Sequence, residues 1–263
     1  DTTTVEWTGA PDGYASYLAA ALPLNDEYQF TNQSALISGK TSNATSHQIG
    51  GVEIVDNNII SDISGVGNIS KFYGSSARKP IGYSQDSTQN PSYIKVNTPG
   101  KAFGTGDFCI EYWQFVDKYN DFGDWRAVGI DINYPPARDG HTYGEPSLIT
   151  PFIRLQDGRI RYYEWDATPW LSRDTLGYGG RVTYKKWQHI AITRQVGRVS
   201  IFIDGQHTGS FNDPTNYTGT AYAMFAGIWR LTEGFYIQDL KIYSGTAKYI
   251  NSSPQTSIKF TPP

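Results

Sequence analysis

The stretch "KKWQHIAITRQVGRVSIFIDG" (residues 185–205) limits the possible folds more than any other. In "QHIAITRQ", Ile190 and Ile192 alternate with His189 and its neighbours, and in "RVSIFID" the apolar positions are Val199, Ile201 and Ile203. A period of two is the signature of a strand with one face buried. Val196-Gly197 between the two runs is a tight turn, so the segment predicts an antiparallel hairpin whose isoleucines share a face. "DFCIEYWQFVD" (107–117) repeats the pattern, with Phe108, Ile110 and Tyr112 on one face and Cys109, Glu111, Trp113 and Phe115 on the other. That second face is only partly apolar, which predicts a sheet covered mainly from one side. Together the stretches predict an all-β chain of two antiparallel sheets packed face to face, about 10 Å apart.

The rest of the 263 residues agrees. Aromatic residues make up 14% and Gly plus Pro number 41, while charged residues are only 18%, a balance suited to pleated surfaces and turns. "GVEIVDN", "NNIISDI", "SYIKV", "WRAVGIDI", "LITPFIRL", "RIRYYEW", "AMFAGIW" and "YIQDLKIYSG" read as further strands, with "QDGR" and "IDGQ" as hairpin turns. "YASYLAAALPL" (14–24) has the best helical propensity, but Pro23 ends it and no full helical face forms, so it too reads as a strand. Residues 25–70 read as polar loops and edge strands. No composition break divides the chain. The expectation is a 1–14 N-terminal extension followed by one domain, 15–263.

Charge and cysteine content exclude several functions. A net charge of −3 and a pI near 5.8 argue against nucleic acid or an anionic membrane as partner. No apolar run reaches the roughly 20 residues of a membrane helix, so no membrane insertion is expected. The single Cys109 cannot form an internal disulfide, and no Cys/His cluster has zinc-ligand spacing. The chain opens on Asp1, which a removed leader or a fragment would each explain. Five N-x-S/T sequons (Asn32, Asn43, Asn68, Asn216, Asn251) are weak pointers to secretion in a chain this rich in Asn, Ser and Thr.

Three motifs in order carry a resemblance. "GTGDFCIEYWQF" is similar to a Gly-Thr-Gly-Asp-Phe turn leading into an "FTIEFW" strand. "KKWQHIAITRQVGRVSIFIDGQ" is similar to a "WHHVAVTR…LRLFVDG" hairpin. "GFYIQDLKIYSGTAKYINSSPQTSIKFTPP" (234–263) resembles a closing "IDDLRIYNGVARYTSNFTPP" segment. Less closely, "YLAAALPLND" and "ISKFYGSSA" occupy earlier steps of the same pattern. The chain thus resembles laminin-G-like, concanavalin A-like jelly-roll domains over roughly 15–263. The version with this ending is common among phage tail and virion proteins and bacterial surface proteins. The fold hosts lectins, adhesins, hydrolases and scaffolding parts, so the resemblance implies architecture more than activity.

Candidate functional residues are sought where the chain departs from that pattern, at 117–150 and 163–184, since loop ends of a sandwich carry binding residues. Glycosidases of this fold use carboxylates alternating on one strand, and no such run occurs; Glu164 and Asp166 are two apart with no third in place. His47, His141, His189 and His207 are scattered, and His189 reads as structural. Cys109 reads as a half-buried small apolar residue. No nucleophile-elbow pattern supports a Ser/His/Asp arrangement. Oxygen-rich "NDPTN" (212–216) and "YNDFGD" (119–124) make calcium the one conceivable metal, though turn chemistry explains both, so no cofactor is expected.

The best candidate site lies in "YYEWDATPWLSRD", where Tyr163, Trp165 and Trp170 offer flat rings for a sugar, and Asp166 and Arg173 offer hydrogen bonds to its hydroxyls. Packing of the two tryptophans on the sandwich edge is the simpler role for them. The expected function is a non-enzymatic protein of a virus exterior, a phage decoration or tail-associated component. It would dock to other virion proteins or to itself as a homo-oligomer, and would bind cell-surface glycan at the virion surface or in the extracellular space. A secreted lectin-like adhesion domain is the alternative, and a glycoside hydrolase a more distant one.

Overall fold

A computed structural model describes residues 14–22, 51–55, 64–67, 69–71, 75–78, 93–97, 102–116, 129–131, 150–156, 158–165, 173–217, 221–224 and 235–250. After a 3-10 turn at Ala15–Tyr17 come β1 (Leu18–Leu22), β2 (Gly51–Val55), β3 (Ser64–Gly67), β4 (Ser75–Arg78) and β5 (Tyr93–Asn97). Next are β6 (Phe108–Val116), β7 (Gly129–Asp131), β8 (Thr150–Gln156), β9 (Arg159–Trp165) and β10 (Arg173–Arg181). The chain continues through β11 (Trp187–Gln195), β12 (Arg198–Ile203), β13 (Gln206–Asn212), β14 (Ala221–Met224) and β15 (Phe235–Ser244). "NNIISDI" lies outside the described residues.

One sheet runs β13-β12-β11-β6-β15-β4-β3, with β1 also paired to β15; the other runs β10-β9-β8-β7-β14-β5-β2. The neighbouring strands pair antiparallel, and their order is the two-sheet jelly roll the sequence predicts.

The hairpin that anchors the sequence reading has the expected register, with Ile190 opposite Ile203 and Ile192 opposite Ile201. Its turn at Val196-Gly197 has φ of 46° and 71°, and the next, Asp204-Gly205, has 50° and 78°, the paired positive values of type I′ turns. Phe108, Ile110, Ile190, Ile192, Val199 and Ile201 are fully buried between the sheets, with Ile160 and Tyr162 facing them from β9. Each such apolar side chain contributes about 1.5–3 kcal/mol relative to exposure.

The expectation of one-sided covering is overturned. Cys109, Glu111 and Trp113 are as buried as the residues between them. The outer face of this sheet is roofed by residues 245–250, which follow β15. Tyr249 packs on His189 and Phe202 and accepts a hydrogen bond from Thr193 through its carbonyl, while Tyr14 and Tyr249 close over Leu18, Cys109 and Tyr243. Cys109 is therefore fully buried rather than half-buried.

The segment 163–184 is also not one long loop. Residues 163–165 complete β9 and 173–181 form β10, the edge strand of the second sheet. Alternation is absent from "RDTLGYGGR" because its glycines serve a close approach of the two sheets. A Cβ on Gly177 would stand 1.9 Å from the Phe211 ring, and one on Gly179 2.7 Å from Ile201. From the other side, a Cβ on Gly209 of β13 would lie 2.2 Å from the Tyr178 carbonyl oxygen. Here backbone meets backbone.

Candidate functional site

Two buried polar networks hold the frame. On the outer face of the first sheet, β6 places Glu111 opposite Ala191 and Lys241. Its carboxylate accepts from Lys248 Nζ (2.7 Å), Tyr243 O–H (3.0 Å) and Tyr249 O–H (2.5 Å), and lies 3.2 Å from His189 Nε2. Lys241 Nζ is buried beside it and donates to Asp239 at 3.2 Å. Burial by itself raises the Glu111 pKa, but Lys248, His189 and Lys241 together outweigh it and hold the carboxyl well below its ordinary range. A carboxylate so filled and so covered has neither the proton nor the access for acid catalysis.

The second network lies between the sheets. Asp213 Oδ2 accepts from the hydroxyls of Tyr162 (2.8 Å) and Tyr217 (2.7 Å), Oδ1 accepts from the Thr215 amide, and Arg194 stands 3.8 Å away. Arg194 donates to the carbonyls of Gly104, Gly106 and Thr215 and sits 4.9 Å from the ring centroids of both Phe108 and Tyr217. Desolvation, with the nearby Asp213 charge, pushes both tyrosine hydroxyls well above their usual range. Both oxygens of Asp213 in "NDPTN" are thus engaged by protein. Among the described residues no group of three or more His, Cys, Asp or Glu is placed to hold a metal ion; "YNDFGD" lies outside them.

This second network positions the candidate hairpin. Tyr162 anchors β9 through Asp213 and packs 5.2 Å from Phe211, so Ile160 and Tyr162 face the partner sheet while Arg159 and Arg161 take the alternate, outward positions. Backbone register then sets Trp165 opposite Arg173 and Tyr163 opposite Thr175, with Thr150 and Phe152 of β8 as their partners on the other side. Three of the five candidate residues, Tyr163, Trp165 and Arg173, are thereby brought to the same end of the β9–β10 pair. Asp166 and Trp170, in the connection between these strands, lie outside the described residues, as does almost all of 117–150.

What the sequence reading missed is the role of Glu111 and His189. His189 does leave the inner face as expected, yet it is 1% exposed and paired to a glutamate 78 residues away. The only signal for this was the Glu-bearing strand beside the His-bearing one. Trp187, the first residue of β11, packs 5.8 Å from Phe115 of the neighbouring β6; Trp229 lies outside the described residues.

Comparison with known proteins fits this architecture. The concanavalin A-like lectin/glucanases superfamily profile of the laminin-G type matches residues 88–247. No curated protein sequence matches significantly. Similar solved structures include domain 4 of AbnA, a GH43 extracellular arabinanase from Geobacillus stearothermophilus, in complex with arabinotriose; the TM-score is 0.51 at 14% identity, covering 87% of this chain and 95% of that one. A conserved carbohydrate esterase from the Shiga toxin-encoding bacteriophage phi24B aligns with a TM-score of 0.53 at 9% identity, over 87% of this chain and 99% of that one. The binding domain of Paraclostridial Mosquitocidal Protein 1 gives 0.53 at 14%, over 89% of this chain and 50% of that one. At such identities the likeness is one of fold. Strand order and the matched span agree: the chain belongs to the concanavalin A-like lectin/glucanases superfamily.

Proposed function

We propose that this is a non-catalytic carbohydrate-binding domain carried on the exterior of a virus particle, phage in origin, where it docks to neighbouring virion proteins or to copies of itself. The observation that carries the glycan reading is the register of β9 and β10, which sets Trp165 opposite Arg173 with Tyr163 two positions along. An aromatic platform beside a fork of N–H donors is the usual composition of a sugar subsite. Support comes from fold relatives: an arabinanase domain solved with arabinotriose, a toxin binding domain, and a phage esterase. The non-catalytic reading is supported by Glu111 and Asp213, carboxylates fully engaged in holding the frame.

The test is a glycan array probed with the wild-type chain and with Trp165→Ala and Trp170→Ala, each shown to be folded by its melting curve. Binding that is lost in either variant supports the reading, and capture of no glycan by the wild type overturns it. The same array in EDTA should give the same pattern, because no cofactor is part of the proposal. Loss of signal would assign calcium a role.

A further inference from the structure

The strands β8, β9 and β10 are charged against the sign of the molecule. The chain carries a net −3, yet these strands hold five of its eleven arginines, Arg154, Arg159, Arg161, Arg173 and Arg181, and only two carboxylates. Those two, Glu164 and Asp174, are register partners of each other. The arginines fall in separate registers: Arg161 pairs with both Arg154 and Tyr178, Arg159 pairs with Gln156 and Arg181, and Arg173 pairs with Trp165. Three adjacent strands are therefore crossed by successive rows of Arg and aromatic positions.

Where the side chains are described, the rows face solvent. Arg159 and Arg181 are exposed, Arg161 is half-buried with its guanidinium 5.9 Å from the Tyr178 ring centroid, and Tyr178 and Tyr184 are 43% and 38% exposed. The arrangement is held from behind. Gly177 and Gly179 allow β10 to sit against Phe211 and Ile201, and Tyr162 ties β9 to Asp213. Alternate positions along a strand are about 7 Å apart and strands about 4.8 Å apart. That grid sets several arginine positions within reach of one extended ligand. Arg pairs bidentately with planar carboxylate and with sulfate-like oxyanions, and a ring beside it offers a stacking face.

We infer that this face binds an anionic polysaccharide, one bearing carboxylate or sulfate groups, with Arg159, Arg161 and Arg181 pairing its charges and Tyr178 stacking on a sugar ring. The inference rests on the carbohydrate-binding reading above and names its ligand class. A nucleic acid offers similar charge, but a chain of pI near 5.8 lacks the overall basic character of such binders.

Biolayer interferometry of the full chain against immobilised dextran sulfate, polygalacturonate, neutral dextran and single-stranded DNA tests this. Binding to a polyanionic polysaccharide and not to dextran is expected, the first two surfaces telling sulfate from carboxylate. The wild-type affinity should fall steeply between about 50 and 300 mM NaCl, a readout that needs no variant. Arg159→Gln with Arg181→Gln should weaken binding about tenfold or more, and the double Arg→Lys variant should restore part of it. Capture of neutral glycans on the array with none on either polyanion overturns this inference and leaves the carbohydrate reading standing. Silence on every glycan surface overturns both, and equal binding to single-stranded DNA reduces the face to a general polyanion surface and overturns the assignment.

Discussion

Glu111 is ionised at the centre of a network that supplies both charge and hydroxyl donors, and its stability contribution has a definite sign in pH. Its folded pKa lies below the unfolded one, so the contribution is fully present above about pH 4.3 and is lost as pH falls through the folded value. Urea melts from pH 7 to pH 3 should show stability falling below about pH 4.3, and Glu111→Gln should flatten that slope. At pH 7 the same variant should lose about 3 kcal/mol, because Lys248 and the half-satisfied hydroxyls remain buried. An unchanged midpoint would show the network to be neutral. At the opposite extreme of burial, Val196 is 89% exposed and holds φ of 46°, a conformation a β-branched residue adopts only under strain. Val196→Asn should stabilise by about 0.5–1 kcal/mol in the same melts, since Asn is at ease in the left-handed region of a type I′ turn.

Among elements, the clearest contrast is between β11–β12 and β10. The hairpin was legible because isoleucines at a period of two and a Gly-containing turn leave one arrangement. β10 was not, because "RDTLGYGGR" has given up its inward side chains to let β13 approach. Glycine there reads as loop until the partner strand is known. β13 was missed for a related reason, being a polar edge strand with Gly209 at its middle. The candidate site was legible in composition but not in placement: register alone sets Trp165 beside Arg173, and Gly177 with its bulge shifts that register. Gly209→Ala tests the packing argument. Its methyl would meet the Tyr178 carbonyl, which cannot rotate away, so a loss of about 2 kcal/mol or more is expected, seen as a melting point lowered by several degrees. A variant as stable as wild type would mean that the sheets part easily at this edge.

For the whole molecule, the roof over the first sheet decides which surfaces remain available. Strand alternation could not disclose it, since Tyr249 lies 138 residues from the glutamate it covers. With residues 245–250 in place the Cys109 thiol is sealed, so labelling by a thiol reagent should be slow in the native chain. Tyr249→Ala should speed it by about tenfold or more, its cover being thinned while β6 stays paired on both sides; equal rates would show that Tyr14 and Leu18 suffice. The second sheet has a glycine-backed, arginine-bearing outer side, so the two broad faces are chemically unlike.

That β15 lies inside its sheet, between β6 on one side and β1 and β4 on the other, also has a mechanical meaning. Its backbone bonds to β6 run across the strand, so a pull along β15 from its Ser244 end strains many of them together rather than peeling them one by one. A load applied through this strand would therefore be resisted in shear, and stretching the domain from an edge strand such as β13 instead should unfold it at a visibly lower load.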